Sequence, residues 1–253
     1  MSDFDRNLAA RRGFGAEQAV AIDAGLRAYM IRIYNYMAAG VALTGVVAWL
    51  TFNAAVVTDA AGKITGLTDF GRTIYSGPLT IVLFLGTLGL VFFMSFRINK
   101  LQAGTALGLF MVYAGLLGLM LSSVFLAYTG ASITRTFFIS AASFGALSLY
   151  GYTTQRDLSP IGSFLIMGLF GLILAMIVNI FLKSTGLEFA ISAIGVLIFA
   201  GLTAWDTQKI KEMYDVNDDG TASGRKAVMG ALTLYLDFIN LFLFMLRFMG
   251  DRR

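Results

Sequence analysis

The amino-acid sequence predicts an all-α membrane protein, built as a bundle of seven transmembrane helices. Composition is the first reason: of 253 residues, 57% are hydrophobic and only 13% are charged, with a mean hydropathy of +0.75. A soluble domain carries about 25% charged residues. The second reason is that the apolar residues form seven segments of about 20 residues, the length at which a helix crosses a bilayer.

The chain divides into a tail and one membrane domain. Residues 1–28 carry four arginines without the apolar core or cleavage site of a signal peptide, so we expect a cytoplasmic N-terminal tail. Residues 29–253 are predicted to form a single transmembrane domain. Its predicted spans are 29–52, 78–97, 104–128, 133–153, 160–182, 187–209 and 228–248.

Prolines and connection lengths support these boundaries. Pro78 and Pro160, the only prolines in the chain, open the second and fifth spans, because proline is tolerated in the first turn of a helix. The connections are short except for 53–77 and 210–227, which we predict to be longer loops. Short connections place neighbouring helices antiparallel in a bundle.

The distribution of Lys and Arg predicts how the chain is oriented in the membrane. With the N-terminus inside, eleven of these residues fall on the cytoplasmic side and seven on the other side. The positive-inside rule therefore favours a cytoplasmic N-terminus and an external C-terminus. Because the basic residues are scattered at helix ends rather than clustered in one patch, we expect the lipid bilayer as partner and no nucleic acid.

Residue types that the chain lacks exclude several chemistries. It contains no cysteine and no histidine, which excludes disulfides, thiol catalysis and Cys/His metal sites. The sequence has no phosphate-binding glycine loop, nucleophile elbow or zinc motif. The last predicted span, 228–248, has no lysine that could form a retinal Schiff base. We therefore predict neither a cofactor nor enzymatic activity.

Two aspartates lie inside predicted spans and are the primary candidates for a functional role. Asp206 falls in the sixth span and Asp237 in the seventh. An intramembrane carboxylate costs roughly 2.5 to 3.5 kcal/mol at a helix centre, so it persists mainly where it faces the protein interior or a water path. We expect the two side chains to meet in the cytoplasmic half of the bundle.

Polar residues accompany both aspartates. Thr233, Asp237 and Asn240 are spaced i, i+4 and i+7, which puts them on one face of the last helix. Thr203 and Asp206 are spaced i and i+3 on the sixth helix. We expect both faces to point into the bundle, with Thr203, Thr233 and Asn240 as a supporting polar surface.

A facing pair of carboxylates has a defined chemistry. Two such groups in a dry site cannot both ionise cheaply, so they share a proton and titrate as a unit. Their hard oxygen atoms also suit Ca²⁺, which makes Asp206 and Asp237 a candidate proton sensor and Ca²⁺ ligand pair. The alternative is structural: Asp206 would pair with Lys209, and Asp237 would bond to neighbouring Thr or Asn side chains.

Two further features are less specific. Arg97 ends the second span at the same predicted level, either as a salt-bridge partner for a carboxylate or as an ordinary basic flank. Residues 215–220 open like an EF-hand loop, but position 12 of that motif is Lys226 where a bidentate Glu is needed. We interpret this segment as an acidic turn.

Two sequence motifs carry a family resemblance. The closing run LYLDFINLFLFMLRF at 234–248 and the run AWDTQKIK at 204–211 resemble the Bax inhibitor-1 family, also called the transmembrane Bax inhibitor motif family, and its bacterial members most. The resemblance implies a central last helix wrapped by the others. It also implies a pH-sensitive calcium leak controlled by an aspartyl pair, which falls on Asp206 and Asp237, and a second-span arginine, which falls most naturally on Arg97.

Two functions are consistent with these features. The first is a passive Ca²⁺ leak gated by protonation of Asp206 and Asp237, with Ca²⁺ as the transported or transiently bound ion. The alternative is an interaction protein that modulates a membrane-bound quality-control protease, as some bacterial relatives do, with the N-terminal tail as its handle. An intramembrane hydrolase built on the two aspartates lacks further supporting motifs.

Overall fold

A computed structural model gives the architecture of the chain. It describes residues 3–60 and 63–253, with side chains from residue 23 onward except that of Asn99. The described part contains nine α-helices and one short hairpin. In chain order these are α1 (Asp3–Ala55), β1 (Val56–Thr58), β2 (Ile64–Leu67), α2 (Asp69–Ser76), α3 (Pro78–Arg97), α4 (Ala103–Leu121), α5 (Val124–Ala127), α6 (Gly130–Thr153), α7 (Ser159–Leu182), α8 (Thr185–Glu212) and α9 (Gly220–Met249).

The chain is an all-α integral membrane protein. Within the described residues, six helical segments are long and apolar enough to cross a bilayer: α1 from Asp23, α3, α4 with α5, α7, α8 and α9. Helix α6 contains 24 residues, the same length as α7, but is less apolar. It carries buried hydroxyls, which include Ser132, Thr136, Ser140 and Ser148.

Two predicted loops contain regular structure. The segment predicted as a loop at 53–77 forms the antiparallel β1–β2 hairpin, paired from Val56 with Leu67, and then helix α2. The predicted loop at 210–227 was mostly wrong, because α8 continues to Glu212 and α9 begins at Gly220. Lys and Glu residues at the end of α8 are good helix formers, so polarity there does not indicate a loop.

The third predicted span is interrupted rather than continuous. Helix α4 ends at Leu121, and α5 begins at Val124. At the break, the Ser122 hydroxyl donates to the Leu119 carbonyl at 2.5 Å and accepts from the Tyr75 hydroxyl at 2.9 Å. A serine that bonds back to the helix backbone bends it, which explains a break that hydropathy did not reveal.

Helix α9 lies in the best-packed part of the molecule. In its most apolar window 67% of residues are buried, against 6% for α7. It packs against α1, α4, α6 and α8. Tyr235 on α9 is fully buried and its hydroxyl is 2.6 Å from the Thr44 hydroxyl of α1, which in turn donates to the Ala114 carbonyl of α4.

The two ends of the bundle are distinct. At the turn end, which carries residues 213–219, the Tyr214 ring packs 5.6 Å from the Tyr29 ring of α1. At the C-terminal end, residues 250–253 pack against the start of α6. The Asp251 carbonyl accepts from the Thr129 N–H, and the Asp251 carboxylate pairs with Arg135 at 2.7 Å. The predicted tail, residues 1–28, lies for the most part outside the described side chains.

Candidate functional site

A cavity of about 590 Å³ opens between α7, α8 and α9, and Asp206 and Asp237 both line it. The α7 side of the cavity is entirely apolar and includes Ile166, Leu169 and Ile173. The polar wall comes from α8 and α9. The polar lining residues are Asp206, Lys209, Thr233, Asp237, Asn240 and Arg247.

The structure brings the two aspartates together. Asp237 is 5% exposed on α9, and the half-buried Asp206 of α8 lies within hydrogen-bonding reach of it. Two ionised carboxylates cannot hydrogen-bond to each other because neither has a proton to donate. With both ionised, the buried Oδ2 of Asp237 has no hydrogen-bond partner among the described residues. A single shared proton, or a bound cation, would satisfy it.

Two cations line the same cavity. Lys209 follows Asp206 by one turn and attracts its carboxylate, while its ammonium lies 5.0 Å from the Trp205 ring centroid. Arg247 of α9 also lines the cavity, with its guanidinium 5.8 Å from the Phe244 ring centroid. It lies ten residues beyond Asp237 on the same helix, about 15 Å along the axis, so Lys209 is the cation that acts on the aspartyl pair.

The predicted polar face of α9 lines the cavity, and it is longer than predicted. Thr233 and Asn240 both line it, and the Asn240 amide donates to the Leu236 carbonyl at 2.8 Å. Continuing the same helical spacing from Asp237 leads to Arg247, which sequence reasoning did not include. The i, i+4, i+7, i+11, i+14 series from Thr233 was the signal that would have found it.

The sequence prediction placed Thr203 on this polar surface, but the structure places it elsewhere. Its side chain is fully buried, does not line the cavity, and donates to the Phe199 carbonyl at 2.7 Å. The threonine one turn later, Thr207, bonds to Ser148 of α6 at 2.9 Å. This face of α8 therefore serves helix packing, because hydroxyls in membrane helices can bond to their own helix or to a neighbour.

Arg97 is not brought to the aspartyl pair. It is exposed at the end of α3, a helix that packs mainly on α2 and α4, and it does not line the cavity. Among the described residues it forms no salt bridge. This arrangement is that of a basic flank, one of the two interpretations that the sequence allowed.

The carboxylates of the α8–α9 turn are engaged locally. Asp215 accepts hydrogen bonds from the backbone and side chain of Asn217, and Asp219 caps α9 by accepting from the Ala222 N–H. Asp218 pairs with Lys226 at 2.7 Å. Within the described residues, no group of three or more acidic, His or Cys side chains is arranged to hold a metal ion.

Comparison with known proteins gives a family match over most of the chain. The sequence profile of the family described as "Inhibitor of apoptosis-promoting Bax1" matches residues 26–253. A protein of Rickettsia prowazekii described as uncharacterized is 52% identical, over 91% of this chain and 92% of its own length. The inner membrane protein YbhL of Escherichia coli is 48% identical, over 91% and 94% respectively. A protein of Caulobacter vibrioides, also described as uncharacterized, is 43% identical over 100% of both chains.

Proposed function

The chain belongs to the Bax inhibitor-1 family, as its closing motifs predicted, and from this premise we propose that it forms a pH-sensitive Ca²⁺ leak pathway gated by Asp206 and Asp237. The observation that carries this proposal is that the two carboxyl groups lie within hydrogen-bonding reach of each other in the lining of one cavity, with an oxygen of Asp237 left unsatisfied when both are ionised. A buried carboxylate in this state favours a proton or a hard cation.

Competition for the same oxygens is the basis of the gating. A shared proton joins α8 to α9 by a hydrogen bond, whereas loss of that proton leaves two neighbouring like charges that repel each other. A Ca²⁺ ion relieves this repulsion and takes its further oxygens from water and from one of the polar neighbours Thr233 and Asn240, since it coordinates six to eight. Proton and ion therefore favour different states of the pair, and a difference of a few kcal/mol is enough to shift a closed–open equilibrium.

The leak pathway is proposed to lie in a seven-span bundle with α6 as the additional span. Helix α6 touches both ends of the bundle: Ser132 accepts from the Asp251 N–H at the C-terminal end, and the Tyr152 carbonyl accepts from Lys211 at the turn end. Its 24 residues extend about 36 Å at 1.5 Å per residue, enough to cross a bilayer. Its hydroxyls lower its hydropathy. Ser140 donates to the Met245 sulfur of α9, and Ser148 bonds to Thr207 of α8.

The central position proposed for α9 is supported by its burial and by the four helices that pack against it. The similarity to YbhL, an inner membrane protein of Escherichia coli, supports a location in a bacterial inner membrane. The excess of basic residues supports a cytoplasmic turn end and an external C-terminal end. Asp206 and Asp237 then face the cytoplasmic half of the pathway.

Ca²⁺ entry into vesicles that contain the purified protein and a Ca²⁺ indicator tests this function. We expect entry above that of protein-free vesicles, and Asp237→Asn should lower it about ten-fold because a charge-assisted contact to the ion is worth roughly 1.5 to 3 kcal/mol. Asp157→Asn, which removes an exposed carboxylate outside the cavity, is the matched control and should leave entry unchanged. Entry no faster than in protein-free vesicles would exclude a leak.

A further inference from the structure

Helices α1 and α6 leave a groove between them. Both pack on α9, but in the part of the chain that the structure describes they hardly pack on each other. At the turn end the gap is a cavity of about 650 Å³, and a second cavity of about 330 Å³ follows along the same two helices toward the C-terminal end. Phe238 and Phe242 of α9 contribute to the lining of the second cavity.

The groove is apolar and opens toward lipid. Ile31 of α1 and Leu149 of α6 line it and are 48% and 61% exposed. Met30 and Phe144, which are buried, form its inner wall. A long apolar chain lying here would bury surface that none of the described helices covers.

The width of the groove restricts what can occupy it. The Tyr34 hydroxyl of α1 is 2.7 Å from the Ser148 hydroxyl of α6, and both residues line the first cavity. A helix is about 10 Å across with its side chains, so a partner helix cannot lie between two helices joined by a direct hydrogen bond. An acyl chain can.

Two cations lie at the turn end of the groove. The Arg27 side chain lines the first cavity directly. The Lys211 ammonium donates to the Tyr152 carbonyl at 2.9 Å and lies 5.5 Å from the ring of Tyr152, another lining residue. The exposed Asp23 lies one turn before Arg27 and offsets part of this charge, which leaves a net positive end. This is the level at which lipid phosphates meet a membrane protein.

We propose that the α1–α6 groove binds one anionic phospholipid from the leaflet at the turn end. Its phosphate lies between Arg27 and Lys211, and an acyl chain runs along Met30, Phe144 and Leu149 toward the second cavity. This site shares no lining residue with the aspartyl cavity, and it does not depend on the proposed leak.

Lipid quenching at a single labelled position tests the site, and the chain has no cysteine to interfere. Leu149→Cys labelled with bimane reports on the groove, and Phe170→Cys, 66% exposed on α7, is the matched reporter outside it. Each is reconstituted with phosphatidylglycerol or phosphatidylcholine carrying a nitroxide on one acyl chain. At position 149 we expect phosphatidylglycerol to give the same quenching as phosphatidylcholine at a lower mole fraction. The mole fraction should be lower by about five-fold for each cation that contacts the phosphate. At position 170 the two lipids should quench equally.

Charge variants complete the test. The double variant Arg27→Gln, Lys211→Gln should abolish the preference for phosphatidylglycerol at position 149. The charge-conserving double variant Arg27→Lys, Lys211→Arg should retain this preference. Arg156→Gln removes an exposed cation at the same end that does not line the groove, and should leave the preference intact. Equal quenching by both lipids at position 149 would overturn the proposal and assign the groove to unselected bilayer lipid. A preference for phosphatidylglycerol that survives the double Gln variant would also overturn it, because Arg27 and Lys211 would then not hold the phosphate.

Discussion

At the residue scale, the acidic side chains of this protein differ in what satisfies each carboxylate. Asp215 accepts from Asn217 within its own turn, whereas Asp219 accepts from a backbone N–H in the first turn of α9 and Asp218 pairs with a lysine of α9. Asp237 is buried in a helix and has the Asp206 carboxyl as its acidic neighbour. The turn carboxylates therefore stabilise a chain reversal, and the helical pair remains available to protons and ions.

Asp215 gives a prediction about stability and pH. Hydrogen bonds from the Asn217 backbone and side chain hold the pKa of Asp215 below its ordinary value of 3.8. Because the folded pKa is lowered, the ionised carboxylate stabilises the fold above pH 3.8, and this contribution is lost as the pH falls through the lower folded value. Asp215→Asn should therefore lower the melting temperature slightly at pH 6, with the difference from the parent chain vanishing in strong acid. A constant difference at every pH would contradict this role.

At the element scale, α6 is held against α8 by a close backbone approach. A Cβ atom on Gly151 would lie 2.1 Å from the Ala204 carbonyl oxygen of α8, whereas one on Gly145 of the same helix would meet nothing within 4 Å. Small residues let membrane helices approach in this way. The contact fixes the end of α8 that carries Asp206.

A pair of glycine substitutions in α6 tests this packing. Gly151→Ala should destabilise the protein by about 1 to 3 kcal/mol, because the methyl group forces the two helices apart. Gly145→Ala is the matched control and should be neutral or slightly stabilising, since alanine lowers the entropy of the unfolded chain. Thermal unfolding in detergent measures both. Equal effects of the two changes would show that the close approach is not maintained.

What the sequence predicted at this scale depended on signals local to each segment. Proline marks a helix start, and both prolines gave accurate predictions. Helix α3 begins at Pro78 as predicted, and α7 begins one residue before the predicted start at Pro160. The break at Ser122 was missed, since it depends on the Tyr75 hydroxyl from a distant helix. Asp206 and Asp237 meet as expected. The position of Arg97 could not be predicted, because it follows from which helices α3 packs against.

At the scale of the whole molecule, the start of the apolar part of α1 and the end of α9 lie at opposite ends of the bundle. Gly25 of α1 lies against Tyr214 at the turn end, and Arg253 donates to the Tyr128 carbonyl at the C-terminal end. An even number of spans would return the chain to its starting side. The arrangement is that expected of the odd number of spans that we propose, with α6 as the additional one.

Single cysteines test this topology without background labelling, because the chain contains none. Asp23→Cys and Arg253→Cys, both at exposed positions, should react with a membrane-impermeant maleimide from opposite sides of the membrane. In oriented inner-membrane vesicles and intact cells, we expect Asp23→Cys to be labelled from the cytoplasmic side. Labelling of both from the same side would contradict the seven-span bundle.

The central claim is that Asp206 and Asp237 act as one proton-sensing unit, and the pH dependence of Ca²⁺ flux in a double-mutant cycle measures it most directly. Independent residues give additive effects, whereas residues that share a proton do not. We predict that Asp206→Asn and Asp237→Asn each flatten the pH profile of flux and that the double variant adds nothing further. A pH profile like that of the parent chain in the double variant would contradict the claim.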